Sequence, residues 1–240
     1  MPSLFVSHGS PMEAVEDDAW SRSLTAWAAR LERPRGVVVV SAHWEGPLAV
    51  TATSSPETIH DFSGFAEELY AIRYPAPGDP ALAKDVARLT GAALEPRRGL
   101  DHGAWVPLRK LFPAADVPVV QLSIPPAGDV ARLGRALADL RKEGVLLIGS
   151  GGAVHNLRTL AWDDKAASAA DWAMEFDRWV AARAGDVDAL GCWRESPLAA
   201  RAHPTPEHYL PILFVGGSSI ETLHEGFHYG SLSMRTYAAS

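Results

Sequence analysis

The apolar positions of the chain fall into short runs that alternate with longer amphipathic stretches. Ser3 to Ser7 is a compact apolar run closed by Gly9, Ser10 and Pro11, which reads as a buried strand ending in a turn. Gly36 to Val40 carries four consecutive valines, which suits a parallel strand covered on both faces. Val117 to Ser123 and Val145 to Ile148 are of the same kind, the latter running into Gly149-Ser-Gly-Gly152, and Leu48 to Thr53 alternates as a strand does. Helical stretches lie between them. Trp20 to Leu31 sets Leu24, Trp27, Ala28 and Leu31 on one stripe. Pro80 to Leu89 opens on proline behind a capping Asp79. Trp105 to Leu111, Asp129 to Lys142 and Ser168 to Ala184 follow, and Thr222 to Tyr237 has hairpin character with Gly230 near its turn. Strands alternating with helices predict an α/β fold, a single α/β/α domain over residues 1–240 with a mostly parallel central sheet.

Composition narrows the classes of function. The chain is 47% hydrophobic and 21% charged, an ordinary globular mixture, and 240 residues bury a core without staples. A formal net charge of -7 with no basic patch argues against nucleic acid as a partner. Met1 to Val6 has neither the basic region nor the apolar run of a signal peptide, and no stretch approaches the ~20 apolar residues of a membrane span. Cys192 is the only cysteine, which excludes a disulfide framework and a thiolate zinc site and fits a cytoplasmic protein. Any metal must therefore be held by nitrogen and oxygen.

The chain has nine histidines, and their positions matter more than their number. His8 follows the first strand, His43 follows the valine strand, and His155 follows the Val145 strand and its glycines. Ligands of open α/β sheets bind outside the carboxyl ends of the strands, so three strands deliver imidazoles to one edge. Gly9, Gly149, Gly151 and Gly152 are read as sharp turns beside the site. His102, behind Asp101, opens the helix of Trp105 and is placed to hydrogen-bond a substrate. Pro206 is read as a helix start that puts Glu207 and His208 in a first turn. A single histidine after a strand is ordinarily a loop or core residue; the joint pattern is what points to a metal, and imidazole suits zinc and iron. His203 stands between ligand and packing residue, His60, His224 and His228 read as structural or surface residues, and Trp44, Trp105 and Tyr209 stand between pocket wall and core. No His-Glu-x-x-His helix, Walker loop or nucleophile elbow is present.

Several motifs occur in a familiar order: Ser7-His8-Gly9-Ser10-Pro11-Met12, Ser41-Ala42-His43-Trp44, Thr58-Ile59-His60-Asp61-Phe62, Tyr74-Pro75-Ala76-Pro77-Gly78, Asp101-His102-Gly103-Ala104-Trp105, Gln121-Leu122-Ser123, Gly149-Ser150-Gly151 with His155-Asn156-Leu157, and Pro204-Thr205-Pro206-Glu207-His208. Together, from Ser7 to about Gly230, they resemble the 4,5-DOPA extradiol dioxygenase family, class III extradiol enzymes related to protocatechuate 4,5-dioxygenase. The resemblance implies an α/β/α domain holding non-haem Fe(II), with Zn(II) as an alternative bound metal. It implies a small aromatic diol and O2 as substrates, with ring opening adjacent to the diol. Carried onto this chain it makes His8 and His43 ligands, with the third ligand His208 or, on the protocatechuate pattern, Glu207. It makes His155 an acid and base that can also serve as a fourth ligand, and His102 a second active-site histidine. Residue chemistry alone leaves a zinc-dependent hydrolase on the same histidines nearly level with the oxygenase, and a closed four-histidine zinc site without catalysis stands behind both.

Overall fold

The computed structural model describes residues 1–126 and 129–240. Its strands are β1 (Ser3–Ser7), β2 (Gly36–Glu45), β3 (Ala49–Thr51), β4 (Ala93–Glu95), β5 (Val119–Ile124), β6 (Val145–Gly151), β7 (Ile220–His224), β8 (Phe227–His228), β9 (Leu232–Ser233) and β10 (Thr236–Ala239). Its α-helices are α1 (Ala19–Ala28), α2 (Glu67–Ala71), α3 (Pro80–Thr90), α4 (His102–Leu111), α5 (Val130–Leu137), α6 (Asp171–Ala181), α7 (Val187–Gly191) and α8 (Ala199–Ala202). The central sheet has eight strands in the order β4-β3-β5-β2-β6-β1-β10-β7. β5, β2, β6 and β1 pair in parallel, as do β3 and β4, whereas β3 meets β5, and β10 meets β1 and β7, in antiparallel fashion.

The four valines show why this sequence makes a central strand. Val37 and Val39 face one core with Leu4, Val6, Trp20 and Trp105, and Val38 and Val40 face the other with Phe5, Leu82, Leu133 and Phe176. All four are fully buried, each stabilising the fold by roughly 1.5 kcal/mol or more through loss of water contact. Helices α1 and α4 pack on each other on one side of the sheet, α3 and α5 on each other on the opposite side. Asp18, Asp79 and Asp101 cap α1, α3 and α4 with their carboxylates, and α3 ends on Gly91 in the left-handed region at φ 81°.

Several boundaries differ from the sequence reading. The helix expected to reach Lys142 tightens to 3-10 geometry from Ala138, and the one expected from Ser168 starts at Asp171. The C-terminal hairpin is two pairings: β7 joins β10 in the main sheet, and β8–β9 form a small ribbon around Gly230. Pro206 begins a turn rather than a helix; its carbonyl accepts from the amides of Tyr209 and Leu210, and a 3-10 segment follows over Leu210–Phe214. No helix among the described residues is long and apolar enough to cross a membrane.

Candidate metal centre and active site

Parallel pairing sets three histidine-bearing segments side by side. β6 lies between β1 and β2, with Ser7 opposite Gly151 and Ser41 opposite Ser150. His8 leaves β1 at that edge, its amide held by Gly151 O at 3.1 Å, and Gly9 turns the chain at φ +68°. His43 stands near the end of β2. Gly149 and Gly151 are not turn residues, as the sequence reading has them. β6 runs straight through them, and a Cβ on Gly151 would lie 2.2 Å from His208 O. Their lack of a side chain lets the 208–211 segment lie across the strand, so that Gly152 N reaches His208 O at 2.8 Å. His208 is thereby laid over the same edge.

The imidazoles converge. His43 Nε2 is 3.1 Å from His8 Nε2 and 3.3 Å from His208 Nε2. The other nitrogen of each ring is occupied: His8 Nδ1 by Ser150 Oγ at 3.0 Å, His43 Nδ1 by Asp61 Oδ2 at 3.3 Å, His208 Nδ1 by Glu207 Oε1 at 3.0 Å. Carboxylates are acceptors, so Nδ1 carries the proton in His43 and His208. For His8 the proton follows from α4. Pro107 has no amide hydrogen, so the Gly103 carbonyl one turn earlier is left free. Ser150 Oγ donates to that carbonyl and so accepts from His8 Nδ1. The Nε2 lone pair of His43 then faces those of both His8 and His208, an arrangement that repels unless a cation lies among them. Held neutral imidazoles with engaged outer nitrogens are what a metal requires.

Burial is the largest influence on these rings. It holds His8 and His208 well below the ordinary imidazole value of 6.5, with the neighbouring imidazoles adding to the effect. Burial and then His102 pull His43 down to about 3, against Asp61 and Glu207. Burial and His43 take His155 to about 4, below the near-neutral base expected from its sequence context. For Asp61 burial acts upward, but hydrogen bonds from the His102 ring and amide prevail and bring it to about 2.

His102 and His155 complete the group. His102 Nδ1 and its backbone amide both bond Asp61 Oδ1, at 3.0 and 2.9 Å, which leaves Nε2 free. Ring nitrogens of His8, His43 and His102 all lie within 4.8 Å of one another, so these three form a cluster able to hold a metal. His155 stacks flat on His208, centroids 3.5 Å apart and planes 3° apart. Gly103 keeps the floor open, because a Cβ there would meet Ser41 Oγ at 2.3 Å and His43 Cδ2 at 3.0 Å. Asp101, capping α4, also accepts from Ser41 Oγ at 2.7 Å and from Gln121, tying α4 to β2 and β5 beneath the histidines.

Five of the candidate residues are thus brought together, and Glu207 lies behind His208 as its partner. His203 is a packing residue: Nε2 bonds Ala153 O at 3.0 Å and the ring sits among Phe176, Trp193 and Tyr209. Trp105 and Tyr209 are core, and Trp44 lies under Arg98. The walls of the cavity, about 470 Å³, are instead Phe62, Phe65, Leu157, Trp162 and Leu232. Sequence reasoning missed these and the roles of Asp61, Ser150 and Pro107. The one available signal is Asp61-Phe62 directly after His60.

A parallel sheet whose carboxyl edge gathers neutral imidazoles above an aromatic-walled cavity defines an α/β enzyme site of the metal-holding kind. Residues 2–237 match the family described as the catalytic LigB subunit of aromatic ring-opening dioxygenase; the chain belongs to this family and is a ring-cleavage dioxygenase. It is 44% identical to the 4,5-DOPA dioxygenase extradiol of Escherichia coli (strain K12), over 98% of this chain and 93% of that protein. It is 39% identical to the protein of the same description from Portulaca grandiflora, over 98% and 94%. The fold matches the crystal structure of the uncharacterized protein JW3007 from Escherichia coli K12 with a TM-score of 0.85 at 38% identity, covering 100% of both chains. Family membership decides for the oxygenase over the hydrolase that residue chemistry left beside it.

Proposed function

We propose that residues 1–240 form one catalytic domain that inserts O2 into a catechol-type ring, DOPA or another catechol, and opens it next to the diol, using Fe(II) held by His8, His43 and His208. Zinc can occupy the same site. The observation that carries the reading is the convergence of the three Nε2 atoms, each with its Nδ1 engaged, at the floor of an aromatic-walled cavity. His208 is preferred to Glu207 as third ligand because its Nε2 faces His43, whereas Glu207 Oε1 is taken up by His208 Nδ1 and Thr205 Oγ1. It is preferred to His102 because His102 stands over the His43 ring, centroids 3.9 Å apart, where it reaches a diol instead.

When bound, the metal supplies open positions at which diol and oxygen meet and through which the ring's electrons reach oxygen. The chain does the rest. His155, kept neutral by burial, takes a diol proton on a ring nitrogen and returns it as an acid once the ring–oxygen bond has formed. Glu207 favours the protonated form of that ring. His102, locked by Asp61, turns its free Nε2 to the cavity as a hydrogen-bonding partner. Phe62 and Phe65 face the ring and exclude water. The exposed free thiol of Cys192 fits a reducing compartment, the cytoplasm.

The test is oxygen uptake by protein reconstituted anaerobically with ferrous iron and mixed with DOPA and a catechol panel. Uptake with a yellow ring-opened product is expected. No uptake with any catechol, iron being confirmed bound, would overturn the reading.

A further inference from the structure

We infer that Asp61 is a positioning residue that orients the metal ligand His43 and the substrate-side His102 as one unit, so that metal affinity and diol binding both run through a single carboxylate. The inference rests on the reading of His43 as ligand and His102 as diol partner. Asp61 Oδ2 lies 3.3 Å from His43 Nδ1, while Oδ1 takes His102 Nδ1 at 3.0 Å and the His102 amide at 2.9 Å. Glu207, by contrast, gives Oε1 to His208 Nδ1 and Thr205 Oγ1. The two rings that Asp61 grips lie over one another, centroids 3.9 Å apart. His43 comes from β2 and His102 from the start of α4, so Asp61 aligns a sheet edge with a helix end at the centre itself.

The segment that carries Asp61 is held firmly enough to do this. Thr58 bridges Leu100 in parallel. Ile59 N donates to Leu100 O and Leu100 N to Glu57 O, both at 2.8 Å, and Trp105 Nε1 donates to Ile59 O at 2.9 Å. The two segments approach this closely because residue 99 is glycine; a Cβ there would lie 2.0 Å from Glu57 O. Phe62, next in the chain, stands edge-on to the His102 ring, centroids 5.6 Å apart. A carboxylate only accepts, so both Nδ1–H groups and the His102 amide point at Asp61. Each ring then turns Nε2 away from it, His43 to the other ligands and His102 to the cavity. An amide in the same place has a single acceptor atom. Two of the donors lie on the Oδ1 side, so an asparagine turns its oxygen there and its NH2 to His43. His43 keeps that contact only as the Nε2–H tautomer, which aims a proton at His8 and His208. Asp61→Asn thus breaks the contact that serves the metal and spares the one that serves the diol, whereas Asp61→Ala breaks both.

Zn(II) is the probe for the metal, since its dissociation constant is read without turnover, and anaerobic binding of catechol to the zinc-loaded protein reads the diol. Asp61→Asn is expected to weaken Zn(II) binding by about 10–100-fold and catechol binding far less. Nitrogen NMR of the metal-free proteins is expected to show His43 with its proton on Nδ1 in the wild type and on Nε2 in Asp61→Asn. Asp61→Ala and His102→Ala are each expected to weaken catechol binding by about fivefold, the worth of one hydrogen bond. The double variant should fall no further than His102→Ala alone, because Asp61 acts on the diol through His102. Wild-type Zn(II) affinity or an unchanged His43 tautomer in Asp61→Asn overturns the inference. Equal falls in Zn(II) and catechol binding in that variant would mark a general loosening and overturn it too, as would additive losses in the double variant. Absence of ring cleavage by the iron-loaded wild type would instead overturn the dioxygenase reading and leave these binding results, and the inference, standing.

Discussion

Two clusters in this molecule bring histidine and carboxylate together, and they behave as opposites. In the first, His8, His43 and His208 each spend one nitrogen on an outer partner and turn the other towards a neighbouring imidazole. In the second, Glu13 and Asp18 surround His228, whose Nδ1 lies 3.0 Å from Glu13 and whose Nε2 lies 3.4 Å from Asp18. There both nitrogens meet carboxylates, and Lys165 enters the same cluster, 2.9 Å from Glu13 and 3.0 Å from Asp18. For Lys165, burial acts downward, but its hydrogen bonds to the carboxylates prevail and raise it above its ordinary value. The second cluster carries its own cation and acts as a clasp. It ties the Lys165 loop, which also carries Trp162, to the turn after β1, whose Ser10 and Pro11 line the cavity. Proximity of ligand-type residues therefore does not define a metal site; free lone pairs without a resident cation do.

The sharpest break in that comparison is His43→Ala. Its Nε2 touches both partners, so nearly all bound metal and with it turnover should disappear, as read by metal analysis. A full metal complement would remove His43 from the ligand set. His155→Ala should keep its metal but lose turnover by about 10²–10⁴-fold, the usual worth of an acid–base group; wild-type rates would end that role. Lys165→Ala should leave the metal content of the histidine centre intact. Because Glu13 is fully buried, removing its cation should cost about 3 kcal/mol, a fall in Tm of roughly 6–12 °C for a chain of this size, with Lys165→Arg recovering most of it. Loss of metal in Lys165→Ala would join the two clusters into one system. Glu207→Gln should weaken metal binding by about 10–100-fold, as loss of an outer partner does. A loss as complete as that of His43→Ala would make Glu207 the ligand instead of His208.

The pH response separates the clusters further, with the smallest effect. His43 and His155 are held at about 3 and about 4 in the fold, below their ordinary 6.5. The unfolded chain therefore binds more protons below 6.5, so stability is fully present above that pH and is lost as pH falls towards those values. Metal-free protein should lose about 1 kcal/mol per histidine over each pH unit in that window. Asp18 is held below its ordinary 3.8: burial acts upward, but the Ser21 amide and Lys165 prevail. Asp18 thus adds no slope between pH 6.5 and about 4. Urea melts of the metal-free protein at stepped pH should show a decline beginning near 6.5; a flat profile down to pH 5 would mean that the rings are not buried neutral.

Much of this was legible in the chain. Alternating burial of Val37 to Val40 follows from a strand covered on both sides, and strand ends place His8 and His43 because parallel strands share one carboxyl edge. The motif points to His208 but not to the shape of its neighbourhood. Pro206 suggests a helix, but the segment is a turn that lies across β6 where Gly149 and Gly151 carry no side chain, with His208 O accepting from Gly152 N just past the strand. His203, five residues earlier with similar chemistry, went into the core. No local pattern separates the two, since only the packing of Phe176, Trp193 and Tyr209 encloses one of them.

By itself, then, the sequence determined the layered α/β order, the edge that gathers the imidazoles and the family, because these rest on short-range periodicity and on motifs written contiguously. Tertiary structure alone decided which nitrogen each imidazole presents, that Pro107 frees a carbonyl for Ser150, that Lys165 fills one cluster and leaves the other open, and that Phe62, Phe65 and Trp162 wall the cavity. Each of these depends on atoms distant in the chain meeting within hydrogen-bonding or van der Waals range, and such meetings exist only once the two cores have closed on the sheet.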